Sequence, residues 1–348
     1  MAPRPTAGLA GIVHIEPLDL TDGESVSACY AAFRAAQQVD EPQEPMLGER
    51  LFGCWLTTGW GGEPREAWLV RGQEEGSVAG WYRLELPDLE NLDRANLDLI
   101  VPPQERRRGL GRALLEHAAG RAAANGRSVL GGGARNGTAG EAFARAVGAQ
   151  PGLVDIERML ELGPLADGRL AGLRQEAERR AAGYALVTWA GPVPEEFLDQ
   201  VAVLYAALND APRDPDVSPE KWDAQRVRER LNERREHYGV RDYTVAARHL
   251  ATGEMAAMTK VSVDPPDPGW GHQLVTAVTA AHRGHRLGLL VKVAMLEWLA
   301  VAEPQLERIV TWNAEDNEHM IAVNEALGYT VVDPPATAWR LDVAAVLA

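Results

Sequence analysis

Two segments of the chain carry the same pattern of residues suited to binding an anion. Each has a valine followed five positions later by an arginine, then a glycine turn and an apolar helix: VPPQERRRGLGRALLE begins at Val101, and VTAAHRGHRLGLLVKV begins at Val278. A strand that leads through a glycine turn into a helix directs backbone N–H groups and the positive end of the helix dipole at one spot. Two matching loops of this kind favour phosphate binding over two ordinary helix starts.

Within the first loop, glycine permits the close approach of a phosphate and arginine adds bidentate charge. Gly109 and Gly111 allow the approach, and the surrounding cations are Arg106, Arg107 and Arg108. The second loop has Arg286 at the position equivalent to Gly109. No Gly-Lys-Ser/Thr follows either loop, which excludes the P-loop. The spacing, and the hairpins predicted before each loop, exclude the dinucleotide fingerprint.

The two loops belong to a longer internal repeat. Arg106 and Arg283 are 177 positions apart, as are Gly111 and Gly288. The segments FARAVGA (143–149) and VNEALGY (323–329) keep nearly the same offset. A repeat of this length indicates the duplication of a whole domain-sized unit.

Each unit has the same predicted order of elements: a strand, two helices, antiparallel strands, then strand, loop, helix, strand, helix and strand. This is an α+β layered pattern. The helices are predicted at 22–37, 47–57, 110–125 and 140–147, and again at 194–209, 218–238, 287–302 and 316–327. The predicted divisions are a disordered tail at 1–11, a first unit at 12–162, a connector helix at 163–182 and a second unit at 183–348.

Composition limits the partners. The net charge of −15 disfavours nucleic acid and favours cationic small molecules near the surface. No apolar run is long enough to span a membrane, and the N-terminus lacks the apolar segment of a signal peptide. The only two cysteines, Cys29 and Cys54, predict a reduced cytoplasmic protein without a thiolate metal site.

The spacing of Val101, Arg106, Gly109 and Gly111 resembles the GNAT superfamily of acyl-CoA-dependent N-acetyltransferases. HRGHRLG (282–288) followed by TWNAEDNEHMIAVNEALGY (311–329) resembles actinobacterial members of that superfamily. The resemblance implies two GNAT units in tandem. Each would have a mixed, mostly antiparallel sheet flanked by helices, with a V-shaped split between strands 4 and 5. The loop after strand 4 would wrap the CoA pyrophosphate, and the split would admit the pantetheine arm.

The resemblance also implies a set of binding residues for acetyl-CoA, and no metal is expected. In the second unit these are Val278, Ala280, Arg283, Gly284, His285, Arg286, Leu287, Gly288, Asn313 and Asn317. In the first unit they are Val101, Arg106, Arg107, Arg108, Gly109 and Gly111. A helix cap is an alternative role for Asn317.

Acetyl transfer to an amine passes through a tetrahedral intermediate and needs a base, an oxyanion site and a proton for the thiolate. Many GNAT members protonate the sulfur with a tyrosine, but that position holds Asn324 in the second unit and Ala144 in the first. His319 or water would then be the proton donor. The candidate catalytic residues are Glu254, His272 and Asn324, with Asp264 as a further base. Asp210, Asp214 and Asp216 lie in a loop that could attract a cationic amine.

The second unit keeps the longer resemblance and is expected to be catalytic, whereas the first is expected to be a degenerate partner that could still hold CoA. The predicted function is N-acetylation of a primary amine on a small molecule by a monomer or homodimer, without nucleic-acid or membrane partners. Two alternatives remain open at this point: a mycothiol synthase-like transferase, and a non-catalytic acyl-CoA-binding sensor or scaffold.

Overall fold

The computed structural model describes residues 13–163, 168–233 and 237–348, so the predicted tail at 1–11 lies outside the described residues. The first half of the chain has six strands and four helices among these residues. The strands are β1 (Glu16–Pro17), β2 (Arg65–Arg71), β3 (Val78–Glu85), β4 (Arg94–Ile100), β5 (Val129–Arg135) and β6 (Gln150–Glu161). The helices are α1 (Gly23–Asp40), α2 (Glu49–Thr58), α3 (Leu110–Ala124) and α4 (Ala139–Ala146).

The helix α5 (Arg169–Arg180) connects this half to the second, which repeats the same order. Its strands are β7 (Tyr184–Ala190), β8 (Arg241–His249), β9 (Met255–Asp264), β10 (Asp267–Val278), β11 (Arg308–Ala314) and β12 (Thr330–Asp342). Its helices are α6 (Leu198–Ala206), α7 (Ala224–Arg226), α8 (Leu287–Ala302), α9 (Glu318–Leu327) and α10 (Val343–Leu347).

All twelve strands form one sheet, in the order β1-β2-β3-β4-β5-β12-β6-β11-β10-β9-β8-β7. The last strand of each half lies beside the fifth strand of the other half. β12 pairs antiparallel with β5 in the register Ala336–Arg135 through Asp342–Val129. β6 pairs antiparallel with β11 in the register Glu161–Arg308 through Asp155–Ala314. The two halves therefore exchange their closing strands, which then pair with each other.

The exchange extends to the hydrophobic cores. Leu341 and Val343, near the end of the chain, pack in the first half's core with Leu114 and Leu130. Leu160, at the end of β6, packs in the second half's core around α8. Each core is completed by side chains from the other half, and burial of a leucine side chain stabilises a fold by roughly 2 kcal/mol.

Two parallel pairs create the predicted splits. β4 and β5 are paired only from Arg94–Val129 to Asn96–Gly131, and β10 and β11 only from Trp270–Arg308 to His272–Val310. Beyond these three pairs the strands separate in both halves. The α+β fold class, with a mixed sheet and flanking helices, is therefore confirmed.

Some predicted elements differ. Among the described residues, the helix predicted at 218–238 begins only at α7 and continues as a π-helical segment, Val227–Glu233. The residues before α7 are held against the first half: the Ser218 N–H donates to Asn91 Oδ1 at 2.7 Å, and the Lys221 N–H to Glu90 Oε1 at 2.8 Å. These bonds hold residues 218–221 in a non-helical path against the first half. No described helix combines the length and apolar character of a membrane span.

Candidate functional site: two loops and two strand splits

The two glycine loops have the same backbone conformation, with glycine and arginine exchanged between them. In the first loop the left-handed residues are Arg107 (φ 63°) and Gly109 (φ 84°). In the second they are Gly284 (φ 85°) and Arg286 (φ 58°), at the equivalent positions. The path of the chain therefore requires a positive φ twice in each loop, and Arg286 keeps the geometry that glycine adopts in the first loop.

The arginines of the first loop divide their roles. Arg106 holds the loop in place, because its Nε donates to the Val101 carbonyl at 2.9 Å and its Nη1 to Asp40 Oδ1 of α1 at 2.9 Å. Arg108 forms a local ion pair with Glu105 at 2.9 Å. Arg107 and Arg108 are both exposed beside Gly109, where α3 begins. This arrangement leaves two cations available to an anion at the helix N-terminus.

In the second loop, carboxylates from other elements contact the arginines. Arg283 donates to Asp210 Oδ2 at 2.5 Å, and Arg286 pairs with Glu176 of α5 at 2.8 Å. Both pairs are about half exposed. A pyrophosphate bound here would replace weak surface pairs, since exposed ion pairs contribute only about 0–1 kcal/mol.

Other predicted loop residues have different roles. Leu287 is buried in the second core, so only its backbone can face a ligand. Val278 lies beside Gly288, where an added Cβ would meet Val278 Cγ2 at 3.8 Å. Ala280 starts an exposed 3-10 turn, and His285 Nδ1 lies 3.3 Å from the Arg180 carbonyl.

The split of the first half opens into two adjoining cavities. One, of about 470 Å³, is lined by the exposed glycines of β5 (131–133) and by charged residues of both halves. The other, of about 130 Å³, is apolar and is lined by Leu97, Leu115, Phe143 and Ala144 among others. Residues 131–133 have no side chains, so bare backbone of β5 faces the gap between β4 and β5.

The charges in the larger cavity are largely paired. Asp98 accepts from Arg83 at 2.6 Å, and Asp216 pairs with Arg94 at 2.9 Å and with Arg340 at 3.2 Å. Asp214 Oδ1 accepts from the Leu153 N–H at 2.9 Å. The predicted substrate-binding loop of the second half therefore brings Asp214 to the first half's cavity, whereas Asp210 contacts Arg283 in the second loop.

Burial raises the pKa of the Asp155 carboxyl, and the nearby Asp214 raises it further. Asp155 lies on β6, close to the point where the closing strands pair. No local sequence pattern predicts this carboxylate pair, because its members lie about 60 residues apart and in different halves of the chain.

The split of the second half is lined by larger side chains. His272 forms the last ladder pair before the strands separate. Beyond it, Leu274 on β10 and Trp312 on β11 are 46% and 41% exposed. Gln273 stabilises an irregularity of β10 by donating to the Val275 carbonyl at 3.0 Å. The mouth of this split therefore presents two exposed apolar side chains and a histidine.

A chain of buried polar groups lies behind this split. Lys292 Nζ on α8 donates to Asn324 Oδ1 on α9 at 2.5 Å, and Asn324 Nδ2 donates to Asn313 Oδ1 on β11 at 2.7 Å. Complete burial lowers the pKa of Lys292 to about 7. In the first half, the positions equivalent to Asn313 and Asn324 are Gly133 and Ala144, so this chain exists in the second half only.

The predicted catalytic residues are not gathered at one place. Glu254 lies at the turn before β9, beside the second loop, since the neighbouring Ala256 carbonyl accepts from the Thr279 N–H at 2.9 Å. Asn324 is fully buried and acts through Asn313. Asn317 caps α9 by accepting from the Met320 N–H at 3.3 Å, which is the alternative role considered above.

Sequence reasoning missed Lys292 and Trp312 as parts of the site. Lys292 was visible as the charge that interrupts an otherwise apolar helix. A buried lysine there requires a polar partner, which was the available signal.

The chain resembles a known protein family and several solved structures. The acetyltransferase (GNAT) family model matches residues 29–148, within the first half. A tandem GNAT protein from the clavulanic acid biosynthesis pathway is 31% identical, with 95% of this chain and 98% of that chain covered and a TM-score of 0.78. The chain belongs to the GNAT family of acetyltransferases. The tandem organisation of that relative extends over almost all of this chain.

Two further GNAT structures share the fold at lower identity. A GCN5-related N-acetyltransferase from Sphaerobacter thermophilus is 15% identical, with 95% of each chain covered and a TM-score of 0.65. A glucosamine N-acetyltransferase region of a fungal multi-domain β-N-acetylglucosaminidase is 12% identical, with 94% of this chain and 38% of that chain covered and a TM-score of 0.63. A comparison with curated proteins finds no match.

Proposed function

We propose that this GNAT protein transfers the acetyl group of acetyl-CoA directly to the primary amine of a small molecule, at the split of its second half. The observation that carries the proposal is the Lys292–Asn324–Asn313 chain, which fixes an amide at the wall of that split. Polar groups held rigidly at a reaction centre stabilise developing charge without reorganising. The first half has glycine and alanine at the corresponding positions.

The residues of the second half fit acetyl-CoA. The left-handed Gly284 and Arg286 direct the backbone of the loop, and α8 begins directly after them. Gly288 leaves room in the first turn of that helix for a phosphate. Leu274 and Trp312 supply apolar surface for the pantetheine arm on the two sides of the split.

The amine attacks the thioester carbonyl carbon of acetyl-CoA to form a tetrahedral intermediate, which then loses the CoA thiolate as the carbon–sulfur bond breaks. His272, at the apex of the split, is the proposed base that accepts the amine proton. Backbone N–H groups of β10 beyond its irregularity are the proposed oxyanion donors, and Asn313 orients the bound thioester. Water supplies the proton for the departing thiolate, because the tyrosine that protonates the sulfur in many GNAT members is replaced by Asn324 in the second half and by Ala144 in the first.

We propose that the first half binds a second CoA without transferring its acetyl group. Its loop has two exposed arginines, and the apolar cavity beside it suits a pantetheine arm. The strand wall at 131–133 carries no side chain that could take part in proton transfer.

The acceptor is proposed to be a cationic small molecule. The net charge of −15 would attract an ammonium group. The relative that is 31% identical comes from the clavulanic acid biosynthesis pathway, which supports a small molecule over a protein as the acceptor. Cys29 and Cys54 are both free thiols, and this is compatible with the proposed cytoplasmic location.

Matched substitutions in the two loops test the assignment. Gly111→Asp and Gly288→Asp each place a carboxylate in the first turn of a helix that should receive phosphate. An added Cβ meets Phe143 Cε2 at 3.4 Å in the first case and Val278 Cγ2 at 3.8 Å in the second, both ordinary contacts. We expect calorimetry to find two CoA sites in the wild type and one in each variant. Thiol release with an amine panel should fall at least tenfold in Gly288→Asp only.

The opposite pattern, with release lost in Gly111→Asp and kept in Gly288→Asp, would assign transfer to the first half. Tight CoA binding by the wild type without thiol release for any amine would instead identify an acyl-CoA sensor. Either result overturns the proposal.

A further inference from the structure

Three side chains beside the second loop form a cluster that the proposed acetyl transfer does not use. His249 ends β8, Glu254 precedes β9, and His282 lies in the 3-10 turn (Ala280–His282) after β10. One ligand atom from each of the three residues lies within 4.8 Å of the others. The His249 and His282 rings are 5.1 Å apart between centroids.

Hydrogen bonds to neighbouring hydroxyl groups orient the imidazoles of the cluster. His249 Nδ1 lies 3.0 Å from Thr252 Oγ1, and Thr252 Oγ1 donates to Glu254 Oε2 at 2.8 Å. Because the hydroxyl has a single hydrogen, which Glu254 receives, His249 Nδ1 must be the donor to Thr252. The lone pair of His249 is therefore on Nε2.

His282 is oriented in the same way by Tyr184. The Tyr184 hydroxyl lies 2.8 Å from His282 Nδ1, and His282 Nε2 lies 3.7 Å from Glu254 Oε2. Both histidines use Nδ1 for a neighbouring hydroxyl, and the Nε2 of His282 faces Glu254. Metal-binding histidines are typically fixed by such a second hydrogen bond.

We propose that His249, His282 and Glu254 form a binding site for Zn²⁺. Two imidazole nitrogens and one carboxylate oxygen are a three-ligand set that zinc accepts, and a water would complete a tetrahedral site. The side chain of Glu254 is 66% exposed and that of His282 is 14% exposed, so an ion can enter from the solvent side. The ligands come from two separated segments, the β8–β9 turn and the 3-10 turn after β10, which explains why the sequence patterns predicted no metal.

The bound ion would join the β8–β9 turn to the start of the second loop. His282 is followed directly by the loop residues 283–288, so the ion would reduce the mobility of the loop's first residues. An effect of the ion on CoA binding rests on the proposed function. The Zn²⁺ site itself does not depend on that function.

Metal binding by the full-length protein, untagged and treated with a chelator, tests the proposal. We expect one Zn²⁺ per chain by calorimetry, and Co²⁺ as a probe to give the visible absorption of a tetrahedral site. His249→Ala and His282→Ala should each weaken Zn²⁺ binding at least tenfold. Thr252→Val should weaken it roughly tenfold, because second hydrogen bonds tune metal affinity by about 10–100-fold.

His285→Ala is the matched control. His285 packs against the same Tyr184 ring, at 5.5 Å between centroids, but its side chain is outside the cluster. Its Zn²⁺ affinity should stay within twofold of the wild type, and circular dichroism should show every variant to be folded. Binding that survives both His249→Ala and His282→Ala in folded protein, or no stoichiometric binding by the wild type, overturns the proposal.

Discussion

At the residue scale, Lys292 is the side chain whose environment departs most from water. It is fully buried on α8, bonded to Asn324, and its ammonium lies 4.8 Å from the centre of the Tyr329 ring. Burial without a carboxylate partner disfavours the charged form, which is why its pKa falls to about 7. The same burial raises the pKa of Tyr329.

This lysine makes stability depend on pH in a defined direction. Its ordinary pKa is near 10.5, so between pH 7 and pH 10 the unfolded chain binds a proton that the folded protein does not. The free energy of unfolding should therefore rise with pH across this window, by about 2 kcal/mol from pH 7 to pH 9. Chemical denaturation of wild type and Lys292→Met at both pH values isolates the effect, since other groups contribute equally to both proteins. An equal pH dependence in the two proteins would contradict the lowered pKa.

At the scale of elements, the starts of α3 and α8 are set by the left-handed residues Gly109 and Arg286. Nothing lies within 4 Å of a Cβ added at Gly109, so its backbone conformation is the only obstacle to a larger residue. Gly120, inside α3, is also exposed and free of contacts but has no such conformation. A substitution at Gly109 therefore tests the strain of a left-handed backbone, whereas one at Gly120 tests helix propensity alone.

Alanine at these two positions should have opposite effects. Gly109→Ala should destabilise the protein by about 1 kcal/mol, because alanine at φ 84° is strained. Gly120→Ala should stabilise it by about 0.5–1 kcal/mol, because alanine favours a helix interior over glycine. Denaturant titration of both variants gives the comparison, and effects of the same sign would show that the loop tolerates side chains at Gly109.

Most elements could be predicted from the sequence because their patterns are local. The helix α1 follows the cap Asp22, and the hairpins and both glycine loops lie where apolar alternation and turn residues indicate. The helix predicted at 218–238 was wrong over 218–223, where the chain takes a non-helical path and bonds to Asn91 and Glu90 from far away in the sequence. Neither partner is visible from local sequence.

On the scale of the whole molecule, a buried charge cluster of the first half contacts the second half where β6 and β12 are exchanged. Arg135, at the end of β5, bonds to Glu157 of β6 and to Glu44, both in the first half. Its Nη1 donates to the Pro334 carbonyl at 2.7 Å and its guanidinium stacks 4.8 Å from the Trp312 ring, both in the second half. The side chains of Arg135 and Glu157 are 3% and 2% exposed. Burial raises the pKa of Glu157, and Arg135 opposes that rise.

Removal of this arginine should be costly. Arg135→Met leaves a buried carboxylate unpaired, and we expect the free energy of unfolding to fall by about 3–5 kcal/mol. Arg145→Met is the control, because the Arg145 side chain is 63% exposed in an i,i+4 pair with Glu141 and its loss should cost less than about 1 kcal/mol. If the free energy of unfolding fell by a similar amount in the two variants, the buried cluster would stabilise the protein no more than an exposed ion pair does.

The exchange itself could not be read from the sequence. Alternating apolar residues identify β6 and β12 as strands, but the same alternation suits any neighbour in a sheet. The repeat predicted two units at 12–162 and 183–348, but it does not indicate which strands of the two units pair with each other. The contacts of Asp214 with the first half's cavity and of Trp312 with Arg135 follow from the exchange and were hidden with it.

Synthesis of the chain on the ribosome is where the exchange has its largest consequence. Arg135 of β5 pairs with Ala336 of β12, so β5 must wait for about 200 further residues, or roughly 10–40 s at usual elongation rates. During that interval the nascent chain exposes an open strand edge, which is prone to pairing with other chains. The first half, although translated first, therefore reaches its final form only when the last strand emerges, and slower translation of the second half lengthens the time for which that edge stays open.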